Sequence, residues 1–246
     1  MPQAACAIAV MAKAPRPGAV KTRLVPPLTG DQAVALSAAF LHDITGNIAL
    51  AGQQVPAAGY VAYAPAGAAA AFDGVVVPAT RLVPADGAGA MPPGVAGIGR
   101  SLLQATRALL ASGAAAVCLV NADSPTLPTA FLVQAAAALL RPGDRLVLGP
   151  AEDGGYYLIG LKAAHARLFA DIAWSTPSVA AATLARAAEL RLETVTLPPW
   201  YDVDDAASLG RLQRELAGAP ATPAAFAAPA TRACLARLGL DAAAPA

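Results

Sequence analysis

The order of apolar segments predicts an α/β fold of three layers with a wound, mostly parallel sheet. Three observations carry this. Short apolar or β-branched runs alternate with stretches of helical periodicity along most of the chain. The run Ala115 to Val120 holds no polar residue except a cysteine, as expected of a central parallel strand covered on both faces. Charge then gathers where such runs stop: a basic loop follows the first, and acids follow later ones. Wound sheets bind ligands at the carboxyl ends of their strands, so the third observation also points to a site.

Cys6 to Met11 reads as the first buried strand. The loop after it, Ala12 to Leu24, carries Lys13, Arg16, Lys21 and Arg23 with no acid between them, in a chain that holds only three lysines. Pro15, Pro17 and Gly18 stiffen its backbone, and the loop reads as a phosphate grip. Thr29-Gly30-Asp31 marks a turn and cap before a helix over Ala33 to Ala51. Val55 to Tyr63 is expected as the second strand, and Val75 to Val77, extending toward Val83, as the third. A Gly- and Pro-rich loop spans Pro84 to Gly99.

Ile98 to Ala111 returns to helical spacing, and the central strand Ala115 to Val120 presents Asp123 at its carboxyl end. A helix is expected over Thr129 to Leu140, then strands over Arg145 to Leu148 and Tyr156 to Leu161. Between those strands lie Glu152, Asp153, Gly154 and Gly155: a backbone that a ligand approaches closely, or an acidic hairpin turn. Lys162 to Ala170 and Pro177 to Ala188 read as helices, with Ser175 or Thr176 capping the second. Leu192 to Leu197 reads as a late strand, followed by Asp202, Asp204 and Asp205 before a helix from Ala206 to Leu216. Asp202 and Asp204 are two apart on an extended segment and so share a side of it. Residues 1–216 thus form one expected domain. Residues 217–246 form an Ala/Pro-rich linker, to Ala230, and a short terminal helix, Thr231 to Leu240, with a frayed Ala-Pro end.

Composition narrows the function. The chain has 246 residues, a net charge of +1, and a charged fraction of only 13% against 57% hydrophobic residues, much of the latter alanine. Its longest uncharged stretch, Ile44 to Phe72, is broken by glycines, glutamines and prolines, so no membrane span is expected. The absence of a basic segment before the first apolar run predicts a cytoplasmic protein. With its basic residues otherwise scattered, the chain is not expected to bind nucleic acid. Cys6, Cys118 and Cys234 are odd in number, and the first two read as small core residues. His42 and His165 lack Cys or His partners, which disfavours zinc.

No nucleophile motif is present, and Lys21-Thr22 is not a Walker ending, because Val20 stands where that motif requires glycine. What remains is a basic loop facing carboxylates at strand ends. That layout suits an enzyme of nucleoside di- or triphosphates with Mg2+ or Mn2+, a hard cation that takes few protein carboxylates and completes its shell with phosphate oxygens.

Three stretches also carry a family resemblance: Met11-Ala-Lys-Ala-Pro-Arg-Pro-Gly-Ala-Val-Lys-Thr-Arg-Leu, Gly149-Pro-Ala-Glu-Asp-Gly-Gly-Tyr-Tyr-Leu-Ile-Gly and Tyr201-Asp-Val-Asp-Asp. They resemble the bacterial glycosyltransferase-like (radical-SAM/selenodomain-associated) transferases, a family similar to nucleotide-diphospho-sugar transferases of the Rossmann-like GT-A fold. The resemblance implies phosphate contacts from Lys13, Arg16, Lys21 and Arg23. It implies a metal on Asp123, Asp202 and Asp204, and an acceptor pocket lined by Gly154, Gly155 and Tyr156. Asp123 matches the family's metal-binding acid, and Asp153 or Glu152 is the expected base. Asn121-Ala-Asp-Ser-Pro stands where the family usually has Gly-Thr-Asp-Cys-Pro, and Ile98-Gly-Arg-Ser where it has Leu-Gly-Glu-Arg.

The leading expectation is a metal-dependent transferase that passes the sugar of a nucleotide sugar to a small-molecule acceptor. A second is a nucleotidyltransferase using a nucleoside triphosphate, since Lys21-Thr-Arg-Leu resembles the Lys-Ser-Arg-Leu of phospholactate guanylyltransferases. A third is a nucleotide-binding protein without catalysis. The oligomeric state is not legible in the sequence.

Overall fold

The computed structural model describes residues 5–87, 89–218 and 224–240. The expected linker lies partly outside these residues, and the terminal Ala-Pro segment and residues 1–4 lie wholly outside.

Seven strands form one sheet: β1 (Cys6–Lys13), β2 (Ala57–Ala64), β3 (Arg81–Pro84), β4 (Ala116–Val120), β5 (Arg145–Pro150), β6 (Tyr156–Leu161) and β7 (Glu193–Thr196). Their order is β3-β2-β1-β4-β6-β5-β7. Pairing is parallel except where β6 meets β4 and β5. The helices are α1 (Gly30–Gly52), α2 (Ile98–Ala111), α3 (Thr129–Leu140), α4 (Val179–Glu189), α5 (Ala206–Leu216) and α6 (Pro229–Arg237). From β1 the chain winds outward through β2 and β3, then returns to lay β4 on the other side of β1. The crevice at the carboxyl ends of β1 and β4 is therefore the topological switch point.

Alternation along the strands feeds two cores. Ile8, Val10, Cys118 and Val120 point to one face, under α1, α3, α5 and α6. Ala7, Ala9, Val117 and Leu119 point to the other, under α2 and α4. All five residues of β4 are buried, and each of its Val and Leu side chains contributes about 1.5–3 kcal/mol on leaving water.

Helix α1 begins three residues before the expected position because Thr29 and Gln32 close a reciprocal capping box. It is long and apolar enough to cross a membrane by length and composition alone. In the fold it supplies Leu36, Phe40, Leu41, Ile44 and Ile48 to the first core. It also buries Asp43, whose two carboxylate oxygens accept from the Ala230 and Thr231 backbone N–H groups at 3.0 and 2.6 Å. A negative charge thus meets the positive end of α6 and satisfies two of its donors.

Three expectations need correction. Val75 to Val77 is not strand: it lies in a turn against α1, with the Val77 N–H donating to Thr45 Oγ1, and β3 begins only at Arg81. Lys162 to Ala170 holds only a 3-10 turn, Ala166–Phe169, which buries Leu168 and Phe169. Neither Ser175 nor Thr176 caps α4. Ser178 occupies that position without a capping bond from its side chain, and the Thr176 hydroxyl donates to the Ala173 carbonyl instead.

Candidate functional site

A cavity of about 360 Å³ opens at the switch point. Its wall includes Lys13 from the end of β1, Lys21 and Arg23 from the following loop, Ser37 and Leu41 of α1, Ser101 of α2, and Asp123 and Asp204. The loop is pinned by Leu24, which is fully buried beside α1 in a 3-10 turn. Lys21, just before that turn, adopts a left-handed conformation with φ 49°.

That conformation sends the Lys21 side chain under the carboxylates. Its ammonium pairs with Asp123 Oδ1, donates to the Val203 carbonyl at 2.7 Å, lies 3.8 Å from Asp204 Oδ1, and sits 4.7 Å over the Phe40 ring. The Lys21 side chain is only 4% exposed, whereas Asp123 and Asp204 are 37% and 30% exposed. Arg23 pairs with Asp204 from the solvent side.

The acidic segment is stitched to the strand ends by backbone bonds. The Val203 N–H donates to the Asp123 carbonyl at 2.9 Å, and the Glu152 N–H to that of Trp200 at 2.9 Å. Asp202 faces away from the ammonium: its Oδ1 accepts from Asn121 Nδ2 at 2.5 Å and Ser124 Oγ at 2.8 Å. Burial, with the nearby charges of Asp123 and Asp153, pushes its carboxyl up to about 6 against those two hydrogen bonds. Asp204 is also raised, by burial first and then by Asp123, while Lys21 and Arg23 oppose the shift.

The predicted residues therefore divide. Lys13, Lys21, Arg23, Asp123 and Asp204 meet at the cavity; Arg16 is exposed and does not line it. Of the three carboxylates expected to share a metal, Asp202 stands apart, its Oδ1 engaged by Asn121 and Ser124. Among the described residues no group of three or more His, Cys, Asp or Glu side chains could hold a metal. Asp123 and Asp204 do suit a hard cation that brings phosphate oxygens with it, since a positive charge, the Lys21 ammonium, already sits between them.

Gly154, Gly155 and Tyr156 do not line the cavity. Gly154, at φ +90°, lies where a Cβ would come 2.1 Å from the Pro177 carbonyl oxygen, and its own carbonyl accepts from the Ala180 N–H of α4 at 2.9 Å. Gly154 thus seats the start of α4. Tyr156 packs in the second core, and its phenol is raised by burial. Glu152 forms a two-pronged ion pair with Arg211 at 2.6 and 3.1 Å and is not a free base. Asp153 is exposed, with Oδ1 accepting from the Gly155 N–H at 2.8 Å, and it too lies outside the cavity wall.

Sequence reasoning missed Asn121 and Ser124 as the residues that orient Asp202, and Phe40 as the floor under Lys21. Helical spacing marks Phe40 only as core, and the altered Asn-Ala-Asp-Ser-Pro motif was the available signal for the other two. His42 Nδ1 meets the Val75 carbonyl at 3.2 Å and His165 Nε2 meets Asp144 at 2.7 Å, both away from the cavity. Cys6 and Cys118 are buried free thiols on adjacent strands, their sulfurs 3.7 Å apart.

Strand order, switch-point cavity and phosphate-sized ionic wall define a nucleotide-diphospho-sugar transferase-type fold. Within it, the chain belongs to the bacterial family DUF2064, described as uncharacterized proteins conserved in bacteria, whose model matches residues 47–176. A candidate nucleotide-diphospho-sugar transferase from Desulfovibrio desulfuricans G20 is similar at 26% identity and TM-score 0.77, covering 97% of this chain and 99% of that one. CMP:2-keto-3-deoxy-manno-octonic acid synthetase, in complex with CTP, shares the fold at 11% identity and TM-score 0.53, over 87% of this chain and 98% of its own. No curated protein matches the chain.

Proposed function

We propose that this protein is a transferase acting on a nucleotide sugar, whose diphosphate lies in the switch-point cavity between Lys13, Lys21 and Arg23 and the carboxylates Asp123 and Asp204. The observation that carries the reading is this meeting of buried and exposed cations with two partly exposed carboxylates at the ends of β1 and β4. A neutral ligand has no use for such a wall; a diphosphate accompanied by a cation does. The similarity to the Desulfovibrio protein supports the substrate class.

In this reading Lys13 and Arg23, both exposed, meet the incoming phosphates, and Lys21 lies beneath them. Asp123 and Asp204 would hold Mg2+ or Mn2+, which when bound neutralises charge on the departing diphosphate. Asp153 is the candidate base: it would take the acceptor's hydroxyl proton as the acceptor oxygen bonds to the sugar carbon and the nucleoside diphosphate leaves.

The test is a screen of nucleotide sugars with Mn2+ and a small-molecule acceptor panel, scoring released nucleoside diphosphate. Asp123→Asn is expected to reduce turnover by at least about 100-fold, and Glu152→Gln to leave it within about twofold, as suits an exposed pair with Arg211. Asp123→Asn turnover equal to that of the unaltered chain would remove Asp123 from the reaction. Nucleotidyl transfer stands as a second reading on the run Lys21-Thr-Arg-Leu, which resembles the Lys-Ser-Arg-Leu of phospholactate guanylyltransferases. Pyrophosphate rather than nucleoside diphosphate among the products would select it.

A further inference from the structure

The Lys21 ammonium occupies a hard-cation environment. Its neighbours are carboxylate oxygens of Asp123 and Asp204 and the Val203 carbonyl oxygen, an all-oxygen donor set. Lys21 reaches them from beneath, over Phe40, and is nearly shut off from water, while both carboxylates remain open to the cavity. The two groups proposed to hold a divalent cation are therefore neutralised in the free protein by a side chain of the chain itself.

We propose that Lys21 is an internal lock: it keeps divalent cations off Asp123 and Asp204 until nucleotide phosphates enter the cavity and draw its ammonium away. This rests on the reading of the cavity as a nucleotide-phosphate site. A divalent cation arriving alone meets an ammonium already between the carboxylates, and like charges at that range repel. An ammonium leaving alone would strand two neighbouring carboxylates. Phosphate removes both obstacles, because Lys21 lines the same cavity and gains a new anionic partner there. Arg23 cannot be the lock: it is 73% exposed, and solvent screens its pair with Asp204. Nucleotide and metal should then bind as reciprocal activators, each raising the other's affinity by the same factor.

The experiment measures Mn2+ binding by the loss of the free-ion electron paramagnetic resonance signal. Mn2+ is added alone, and then with ADP, CDP, GDP or UDP in turn, to the full chain and to Lys21→Met and Lys21→Gln, with each nucleotide's own Mn2+ complex measured without protein and subtracted. For the unaltered chain, Mn2+ alone is expected to bind weakly, and one or more of the diphosphates to tighten it by about 5- to 150-fold. In Lys21→Met, which keeps the apolar stem over Phe40, Mn2+ alone should bind at least about fivefold more tightly than it does to the unaltered chain without nucleotide. Equal Mn2+ affinity with and without nucleotide in the unaltered chain would overturn the lock and leave the nucleotide–metal site standing; that arm needs no variant. Folded Lys21 variants, checked by circular dichroism, that gain no affinity for Mn2+ alone would also overturn it. If no diphosphate brings Mn2+ to the unaltered chain and Lys21→Met takes none, the metal reading itself fails, and the lock with it.

Discussion

Asp202→Asn is expected to make the protein more stable at neutral pH and no more stable in acid. The Asp202 carboxyl, ordinarily near 3.8, is pushed up to about 6 by burial and by the charges of Asp123 and Asp153. Between pH 4 and 6 the folded chain holds a proton that the unfolded chain has released, so stability falls as pH rises through this window, and the full cost is present above it. Two units correspond to about 3 kcal/mol at roughly 1.4 kcal/mol per unit; the group's residual contact with water reduces this to about 1–2 kcal/mol. An asparagine carries no charge at any of these pH values, and its amide oxygen can still accept from Asn121 and Ser124, so the variant should recover most of that amount above pH 6. Urea unfolding at pH 4, 6 and 8, in the presence of a chelator, measures it. The variant's midpoint should exceed that of the unaltered chain at pH 8 and converge with it at pH 4. A difference independent of pH, or a variant weaker at pH 8, would refute the assignment of strain to this carboxylate.

Two further substitutions probe the frame around the site. Asp43→Ala removes the partner of two backbone donors at the start of α6 and should cost about 2–4 kcal/mol, read as a fall in melting temperature of about 4–16 °C; a fall below about 1 °C would contradict the role given to Asp43. Gly154→Ala combines a left-handed backbone with a Cβ driven against the Pro177 carbonyl and should cost at least about 2 kcal/mol. Hydrogen exchange should show the loss first in α4, and unchanged protection there would mean that the glycine does not seat it.

The fold was legible because long-period signals survive without tertiary context. The bounds of α2, α3, α5 and β6 match the sequence expectation, and β4 differs from it by one residue. What failed were segments whose composition fits two environments. The valines at 75 to 77 could as well pack a turn as pleat a strand. Alanine-rich 162 to 170 has helix propensity, but the buried pair Leu168 and Phe169 and the His165–Asp144 contact hold it in a tighter turn. For the site, charge placement at strand ends anticipated that Lys21 would face Asp123 and Asp204. It could not divide Asp202 from Asp204, because a spacing of two puts both carboxylates on one side of the segment; their partners, distant in sequence, decide the difference. Nor could a Gly-Gly pair reveal whether ligand or helix presses on it. Here α4 does.

The grip of Asp43 on α6 spans 187 residues and orders events in the life of the chain. During synthesis α1 emerges early, carrying a carboxylate destined for an apolar layer, and its partner is made only after α5. A half-made chain therefore lacks the helix that covers this part of the first core and answers the Asp43 carboxylate. A chain ending at Leu216 would keep every strand and every candidate site residue, yet remain permanently in that half-made condition. It would forgo the stability that α6 adds, although it is complete by any count of functional groups.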